Sequence, residues 1–331
     1  MSQEVKKLLS FILSCIIITA ISGCSGSTTS STSESSILPE ASQNTSEENV
    51  NKGISEFPKN AKVSYLGPQG TYTEEATLFF FGDDTVMLPE VTVEEAIEDV
   101  LSETSDYAVI PQENTIGGAV TNYVDALLSC DDVYIVGEVV LPISQTLLGV
   151  PGASLNDIKI VYSHAQGIKQ SEQWRKENLP DAVPEETDST AAAAAYVAES
   201  NDRSFAAIAA PGAAKLYGLE VLAENVQITD ANKTRFYVLS KKPQDNFAHT
   251  KAVFAACLTA DKIDDVIVEI HNSGLELVTI HDRPEGSMLG KYNYIIETEN
   301  ENGISSSITD KIASLEGVRL LGCFDAVLRN H

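Results

Sequence analysis

The chain has 331 residues, and its 48 Asp and Glu against 22 Lys and Arg give a formal net charge of −26. This excess of negative charge argues against nucleic acid as a partner, because phosphate contacts need clustered cations. Hydrophobic residues make up 43% of the chain, which excludes wholesale disorder and supports cores for about two or three domains. The 5 cysteines form no C-x-x-C pair, which argues against a zinc module and a dense disulfide framework.

The first 24 residues have the pattern of an export signal. Lys6 and Lys7 precede a mainly apolar run over residues 8–21, which is shorter than the ~20 residues that a membrane span needs. The run ends in ISGC at residues 21–24, which resembles the bacterial lipobox. Residues 1–23 are therefore predicted to be a lipoprotein signal peptide, and Cys24 the lipidated residue of an extracytoplasmic protein anchored to the cell membrane. An ordinary membrane anchor or a plain secretion signal is the alternative interpretation.

Residues 24–58 are rich in Ser, Thr and Glu with hardly an aromatic, which is typical of a disordered tether. From Ala61 onward, strand and helix patterns alternate, which predicts an α/β fold with mostly parallel sheets. The predicted strands are 63–66, 107–110, 133–140, 158–162, 205–208 and 236–239, and the predicted helices are 73–81, 94–102, 164–177, 190–199 and 211–217. Ligands of such sheets bind in loops at the carboxyl ends of strands, so the site is expected there.

A polar stretch after Lys241-Lys242-Pro243 marks a boundary, and residues 250–326 are predicted to form a separate domain. Its predicted elements are strand 252–258, helix 262–272, strands 275–281 and 292–297, helix 305–314 and strand 318–324. This βαββαβ order is typical of a ferredoxin-like fold.

Several segments, in their order along the chain, resemble the prephenate dehydratase family. They are GPQGTYTE at 67–74, PQENT at 111–115, SHAQGIKQ at 163–170, STA at 189–191, AAI at 206–208 and NKTRF at 232–236. The resemblance implies a two-lobed, periplasmic-binding-protein-like dehydratase domain over residues 59–243. The βαββαβ unit resembles the family's regulatory ACT domain, which implies a homodimer.

The resemblance implies a lyase that removes a hydroxyl and a carboxylate from prephenate, giving phenylpyruvate, water and carbon dioxide in L-phenylalanine biosynthesis. Aromatisation drives this reaction, so the protein mainly needs a proton donor and correct orientation, and no metal or organic cofactor is required. In the family the donor is the Thr of the Thr-Arg-Phe motif, here Thr234. A Thr hydroxyl is a poor acid and would need a preorganised hydrogen bond. By itself, Thr234 could simply begin the strand 236–239.

Arg235 is the natural counter-charge for a dianionic substrate, because a guanidinium can bind a carboxylate through two parallel hydrogen bonds. A solvated Arg at a strand entrance is the alternative. Backbone amides at helix starts near Thr71 and Ser163 are expected to add to the positive site, whereas His164 is expected at a turn or helix cap. The further substrate-binding residues that the resemblance implies are Glu113, Asn114, Thr115, Ser163, Gln166, Gln170, Thr190 and Phe236.

The ACT-like unit departs from family members that bind phenylalanine, since only Arg283 and Pro284 remain of their second motif. Dimer packing is therefore its expected role, and regulation by L-phenylalanine stays open. Two other functions also stay open. One is a lipid-anchored two-lobe receptor for a small anionic or aromatic ligand, and the other is a dehydratase that prefers arogenate.

Overall fold

The computed structural model describes residues 57–116, 118–119, 121–229, 231–244 and 249–329. The predicted signal peptide, Cys24 and nearly all of the predicted tether lie outside the described residues. Within these ranges, no helix is long and apolar enough to cross a membrane.

The first lobe is built on a 7-stranded sheet. Its strands are β1 (Lys62–Leu66), β2 (Val86–Glu90), β3 (Tyr107–Asn114), β4 (Gly118–Ala119), β5 (Tyr134–Pro142), β11 (Lys233–Ser240) and β16 (Ala326–Leu328), and its helices are α1 (Tyr72–Phe81), α2 (Val93–Leu101) and α3 (Thr121–Leu128). The strand order is β16-β5-β11-β3-β1-β2, with β4 paired to β3. The predicted start of α2 is supported by a capping box between Thr92 and Glu95.

The second lobe carries a 5-stranded sheet with the order β10-β6-β9-β7-β8. Its elements are β6 (Thr146–Gly149), β7 (Ile160–Ser163), α4 (Ala165–Gln170), α5 (Glu172–Asn178), β8 (Val183–Glu186), α6 (Thr190–Ser200), β9 (Phe205–Ala209), α7 (Gly212–Tyr217) and β10 (Glu220–Ala223). The predicted helix 164–177 is divided at Ser171, whose hydroxyl donates to the Gly167 carbonyl at 2.7 Å.

Both sheets are mixed, so the prediction of mostly parallel sheets is wrong. In the first lobe β1 pairs in parallel with β2 and β3, but β11 runs antiparallel between β3 and β5. In the second lobe β7 pairs in parallel with β8 and β9, whereas β6 is antiparallel to β9 and β10. The physical reason in the first lobe is that β11 enters from the second lobe and inserts between β3 and β5. These two strands run in the same direction, and β11 runs opposite to both.

The C-terminal unit has the βαββαβ order that the sequence predicts. Its elements are β12 (Lys251–Thr259), α8 (Ile263–Asn272), β13 (Glu276–Pro284), β14 (Lys291–Glu299), α9 (Ser306–Ala313) and β15 (Val318–Phe324). The antiparallel sheet has the order β13-β14-β12-β15. After β15 the chain returns to the first lobe, where β16 pairs in parallel with β5.

The two faces of the C-terminal sheet pack in different directions, because successive side chains of a strand point to opposite faces. Phe254 and Ile296 pack with Ile270 and Ile312 of the unit's own helices. On the other face, residues such as Val253 join the hydrophobic core of the first lobe. The C-terminal sheet therefore lies between its own helices and the dehydratase-like part of the chain.

Candidate active site

A cavity of about 300 Å³ is lined by residues of both lobes and of the segments that join them. Seven residues that the sequence analysis selected line it: Thr71, Asn114, Gln166, Gln170, Thr190, Thr234 and Phe236. The topology explains this convergence, since Asn114 ends β3 and pairs with Thr234 near the start of the antiparallel β11. The site was expected at the carboxyl ends of strands, and it lies where β3 ends and β11 begins.

Thr234 is 9% exposed, and its hydroxyl oxygen accepts a hydrogen bond from Asn114 Nδ2 at 2.9 Å. Within the described part of the chain, the Thr234 hydroxyl donates no hydrogen bond to protein. A hydroxyl that accepts a bond from an amide can still donate its own proton. A bond accepted from an oriented amide also stabilises negative charge on a hydroxyl oxygen. The geometry therefore allows the Thr234 hydroxyl to donate to a group in the cavity.

Neutral amide side chains connect the two lobes around this threonine. Asn114 donates to Asn232 Oδ1 at 2.8 Å, and Gln166 donates to Asn114 Oδ1 at 3.1 Å. Gln170 Oε1 accepts from Asn232 at 3.1 Å and from Gln145 at 3.2 Å. Such a network fixes the orientation of each amide, because the buried groups must keep their partners.

The N-termini of two helices open onto the cavity, whose lining includes no Lys or Arg among the described residues. Thr71 caps α1 by accepting from Glu74 N at 3.4 Å, and Ser189 caps α6 by accepting from Ala192 N at 3.0 Å. The first-turn N–H groups of a helix have no partner within that helix, and its dipole favours anions there. Asp188 is the one carboxylate among the described lining residues, and it is exposed.

The prephenate dehydratase family model matches residues 63–244. The chain belongs to the prephenate dehydratase family. It is 33% identical over 273 residues to the prephenate dehydratase of Lactococcus lactis subsp. cremoris (strain MG1363), covering 79% of this chain and 96% of the relative. It is 32% identical over 276 residues to the bifunctional chorismate mutase/prephenate dehydratase of Aquifex aeolicus (strain VF5), covering 82% of this chain and 75% of the relative.

Among solved structures, the chain is similar to the prephenate dehydratase from Arthrobacter aurescens, which was crystallised in complex with L-Phe. The TM-score is 0.73 at 30% sequence identity, and the match covers 80% of this chain and 90% of that chain. The similarity therefore extends past residue 244 into the C-terminal unit, because residues 63–244 alone are a smaller share of the chain.

The prediction that Arg235 binds the substrate needs correction, because Arg235 does not line the cavity. Because side chains alternate along β11, Arg235 lies on the face opposite Thr234 and Phe236. Its Nε donates to Gln112 Oε1 at 2.7 Å, and its guanidinium forms ion pairs with protein carboxylates. Glu113 lies 3.6 Å from the same guanidinium and is also absent from the lining. The expected grip of Arg235 on a substrate carboxylate is therefore not supported by its position.

Thr115 and Ser163 also lie outside the lining and support the walls of the cavity instead. The Thr115 hydroxyl donates to the Lys233 carbonyl at 2.9 Å and accepts from the Lys233 amide at 2.6 Å, just ahead of Thr234. Ser163 is fully buried and donates to the Ile208 carbonyl at 2.7 Å. Added atoms on Gly167 would collide with the Ser163 hydroxyl, so this glycine permits the close approach of α4.

Sequence reasoning missed several lining residues of this family site. His164 caps α4 as expected, accepting from Gln166 N at 3.3 Å, but it also lines the cavity. Asn232 begins the NKTRF motif, and that motif is the signal that could have selected it. Gln145 lies in the first segment between the lobes, and no local pattern marks it.

Arg283 and Pro284 do not line this cavity and lie on β13 of the C-terminal unit. Arg283 makes two hydrogen bonds of 2.7 Å to the carboxylate of Asp125 on α3. Together with Pro284 and Asn293, these residues line a second cavity of about 430 Å³. Of the two regulatory candidates, Arg283 therefore contacts the first lobe directly.

The described residues contain no cluster of three or more side chains that could hold a metal ion. Cys130, Cys257 and Cys323 are all free thiols in the structure. Burial raises the pKa of Cys323 to about 11, with Asp325 adding to the shift, so this thiol stays protonated at neutral pH.

Proposed function

We propose that the protein is a prephenate dehydratase, which converts prephenate to phenylpyruvate, carbon dioxide and water. The observation that carries this proposal is the Thr234 hydroxyl, which lines a cavity between two lobes and accepts a hydrogen bond from Asn114. Capture of a ligand by a receptor has no need of a proton donor held in this way.

In the proposed reaction, the bond between the ring and its carboxylate breaks and carbon dioxide leaves. The electron pair of that bond enters the ring, and the bond between the ring and the hydroxyl breaks. The hydroxyl leaves as water with the proton that Thr234 donates, and the Thr234 oxygen then recovers a proton from solvent. Asn114 stabilises the charge on that oxygen during the transfer, which is where an oriented donor contributes most.

The carboxylates of the substrate are proposed to bind at the first turns of α1 and α6. Supporting observations are that Thr71, Tyr72 and Thr73 line the cavity at one helix start, and Ser189 and Thr190 at the other. These positions supply backbone N–H donors without a cation that would need desolvation. Gln145 is 3% exposed and its Oε1 has no partner among the described residues, so it can accept from a hydroxyl of the substrate.

The test is turnover of prephenate by the full chain, compared with Thr234→Ala. We expect kcat to fall by about a hundredfold or more in the variant with little change in KM, because general acid catalysis contributes about that much. Thr279→Ala on β13 is the matched control, since Thr279 lies outside the cavity. Binding of prephenate without product by the unaltered chain would favour the receptor, and faster turnover of arogenate would identify the arogenate dehydratase.

We further propose that the two lobes form a periplasmic-binding-protein-like fold and that the C-terminal unit is a ferredoxin-like ACT domain that pairs chains into a homodimer. The support is the βαββαβ order with the antiparallel sheet order β13-β14-β12-β15. L-Phenylalanine is the effector to test, because the Arthrobacter aurescens relative was crystallised with it. Sedimentation with and without L-phenylalanine tests whether the chain is a dimer and whether the amino acid changes its association. A monomer under both conditions contradicts the dimer.

Cys24 is proposed to carry a lipid that holds the protein on the outer side of the cytoplasmic membrane. The support is the ISGC sequence that follows the apolar run. Cells expressing the chain with Cys24→Ala should incorporate no radiolabelled lipid into it, whereas Cys130→Ala should label as the unaltered chain does. Continued labelling of the Cys24 variant would assign the lipid elsewhere.

A further inference from the structure

The face of β11 opposite the cavity carries a buried group of charged and polar side chains, here called the interface cluster. Its members come from the first lobe and from the C-terminal sheet: Gln112, Glu138, Arg235, Tyr237, Lys251 and Glu297. Charges are rarely buried unless they are paired, and each charge here has an oppositely charged neighbour. The cluster joins the two parts of the chain directly behind Thr234.

Glu297 of β14 is the central acceptor of the interface cluster, and its side chain is 5% exposed. Its carboxylate accepts hydrogen bonds from Arg235, from Gln112 Nε2 and from the Tyr237 hydroxyl, the last at 2.6 Å. Burial and the charge of Glu297 raise the pKa of Tyr237, so the tyrosine remains a donor. One carboxylate of the C-terminal unit thus holds three side chains of the first lobe.

Two of those three side chains belong to an irregularity in the sheet, Gln112 as its extra residue and Arg235 next to it. Arg235 pairs with Glu113 but Phe236 pairs with Pro111, so Gln112 is an extra residue in β3. Bulges of this kind redirect side chains and occur next to active sites. The first pair after the bulge is Arg235 with Glu113, and the next is Thr234 with Asn114, which presents the proposed proton donor.

We infer that Glu297 is a positioning residue of the active site, which holds Arg235 and Gln112 from the C-terminal unit and thereby keeps Thr234 and Asn114 aligned for proton transfer. This inference rests on the proposed dehydratase function. Its physical basis is that Gln112 is fully buried and bonded to both Arg235 and Glu297, so the bulge cannot shift while these bonds persist. A small displacement of a proton donor is costly in rate.

The test replaces Glu297 by Gln in the full chain, with Glu299→Gln on the same strand as the matched control. The variant Glu297→Gln keeps the shape of the side chain and removes its charge. We expect kcat for prephenate to fall about tenfold with KM changed less than about twofold, because alignment rather than binding is lost. The control should retain both values. An unchanged kcat in Glu297→Gln, with turnover in the unaltered chain, overturns the inference and leaves the dehydratase function standing.

A double-mutant cycle separates positioning from general destabilisation. If Glu297 acts through Thr234, then Glu297→Gln lowers the residual kcat of Thr234→Ala by less than about twofold. An equal fold-loss in both backgrounds would show that Glu297 acts by another route and would overturn the inference.

Hydrogen–deuterium exchange gives a readout that needs no activity. We expect residues 112–115 and 233–236 to exchange faster in Glu297→Gln than in Glu299→Gln, while the second lobe is unchanged. Equal exchange in both variants contradicts the inference whether or not the chain turns over prephenate. Absence of turnover by the unaltered chain, by contrast, contradicts the proposed function.

Discussion

The two faces of β11 differ in how they use charge. The face that carries Thr234 and Phe236 lines a cavity whose polar side chains are mostly neutral amides and hydroxyls. The opposite face carries Arg235 and Tyr237, which bond to buried carboxylates. The comparison teaches that the cation of the Thr-Arg-Phe motif is paired with carboxylates at the domain interface, while the cavity offers an anionic substrate helix N-termini and amides.

The largest expected effect in this comparison is on stability, from Arg235→Gln. The change leaves Glu138 and Glu297 without their shared cation, and removal of one member of a buried ion pair costs about 3–5 kcal/mol. Chemical denaturation should therefore show a large loss of unfolding free energy. Arg203→Gln is the control, because Arg203 is exposed. A stable Arg235→Gln protein with a greatly raised KM would place the guanidinium in substrate binding instead.

On the cavity face, Asn114→Asp should lower kcat by about a hundredfold, in the range of other lost oriented donors. The carboxylate keeps the shape of Asn114 but cannot donate to Thr234, so the hydroxyl proton is drawn toward it and away from substrate. Its negative charge should also raise KM for a dianion. Steady-state kinetics measures both, with Asn293→Asp as a control outside this cavity. Normal turnover would remove Asn114 from the proposed mechanism.

A smaller effect is expected for Gln145→Met, which preserves volume and removes the amide. KM for prephenate should rise about fivefold with kcat nearly unchanged, because one hydrogen bond contributes about 1 kcal/mol. Gln173→Met on the exposed side of α5 should change neither value. A loss of kcat alone would mean that Gln145 aligns the reacting groups rather than binding substrate.

The smallest effect is expected at Asp325, which precedes β16 and bonds to His249 and Thr250. Burial alone would raise the pKa of Asp325, but hydrogen bonds from His249 and from the amide and hydroxyl of Thr250 lower it to about 2. A depressed folded pKa stabilises the protein above the ordinary pKa of Asp and loses that contribution as pH falls toward 2. Asp325→Asn should thus be less stable than the unaltered chain at pH 6 and equally stable near pH 2, by thermal unfolding.

Much of the fold follows from local patterns, and the exceptions have long-range causes. The elements of the C-terminal unit lie within a few residues of their predicted bounds, because each has a clear apolar period and turn residues at its ends. The insertion of β11 between β3 and β5 is a long-range pairing, because the whole second lobe lies between β5 and β11 in the chain. Strand β8 was missed because all of its residues are exposed, which leaves no alternation to detect.

The motifs predicted lining residues at helix starts as well as on strands, and on β11 the strand period decides which motif residues face the cavity. Thr234 and Phe236 are two apart on β11 and share the cavity, while Arg235 between them had to face the other way. Side-chain alternation along β11 thus contradicts the expectation that Arg235 binds substrate beside Thr234. The partner of Arg235 could not be predicted from the sequence, because Glu297 follows 62 residues later and contacts Arg235 only through tertiary packing.

Strand β16 gives the architecture a practical consequence for protein engineering. It covers the outer edge of β5 after the chain has passed through the C-terminal unit, and Asp325 ties its start to His249 at the entrance of that unit. A shortened chain ending near residue 244 would expose the edge of the apolar strand β5. The unpaired N–H and C=O groups of that edge could then pair with another molecule. A truncated enzyme without the C-terminal unit is therefore expected to aggregate unless residues 326–328 are retained to pair with β5.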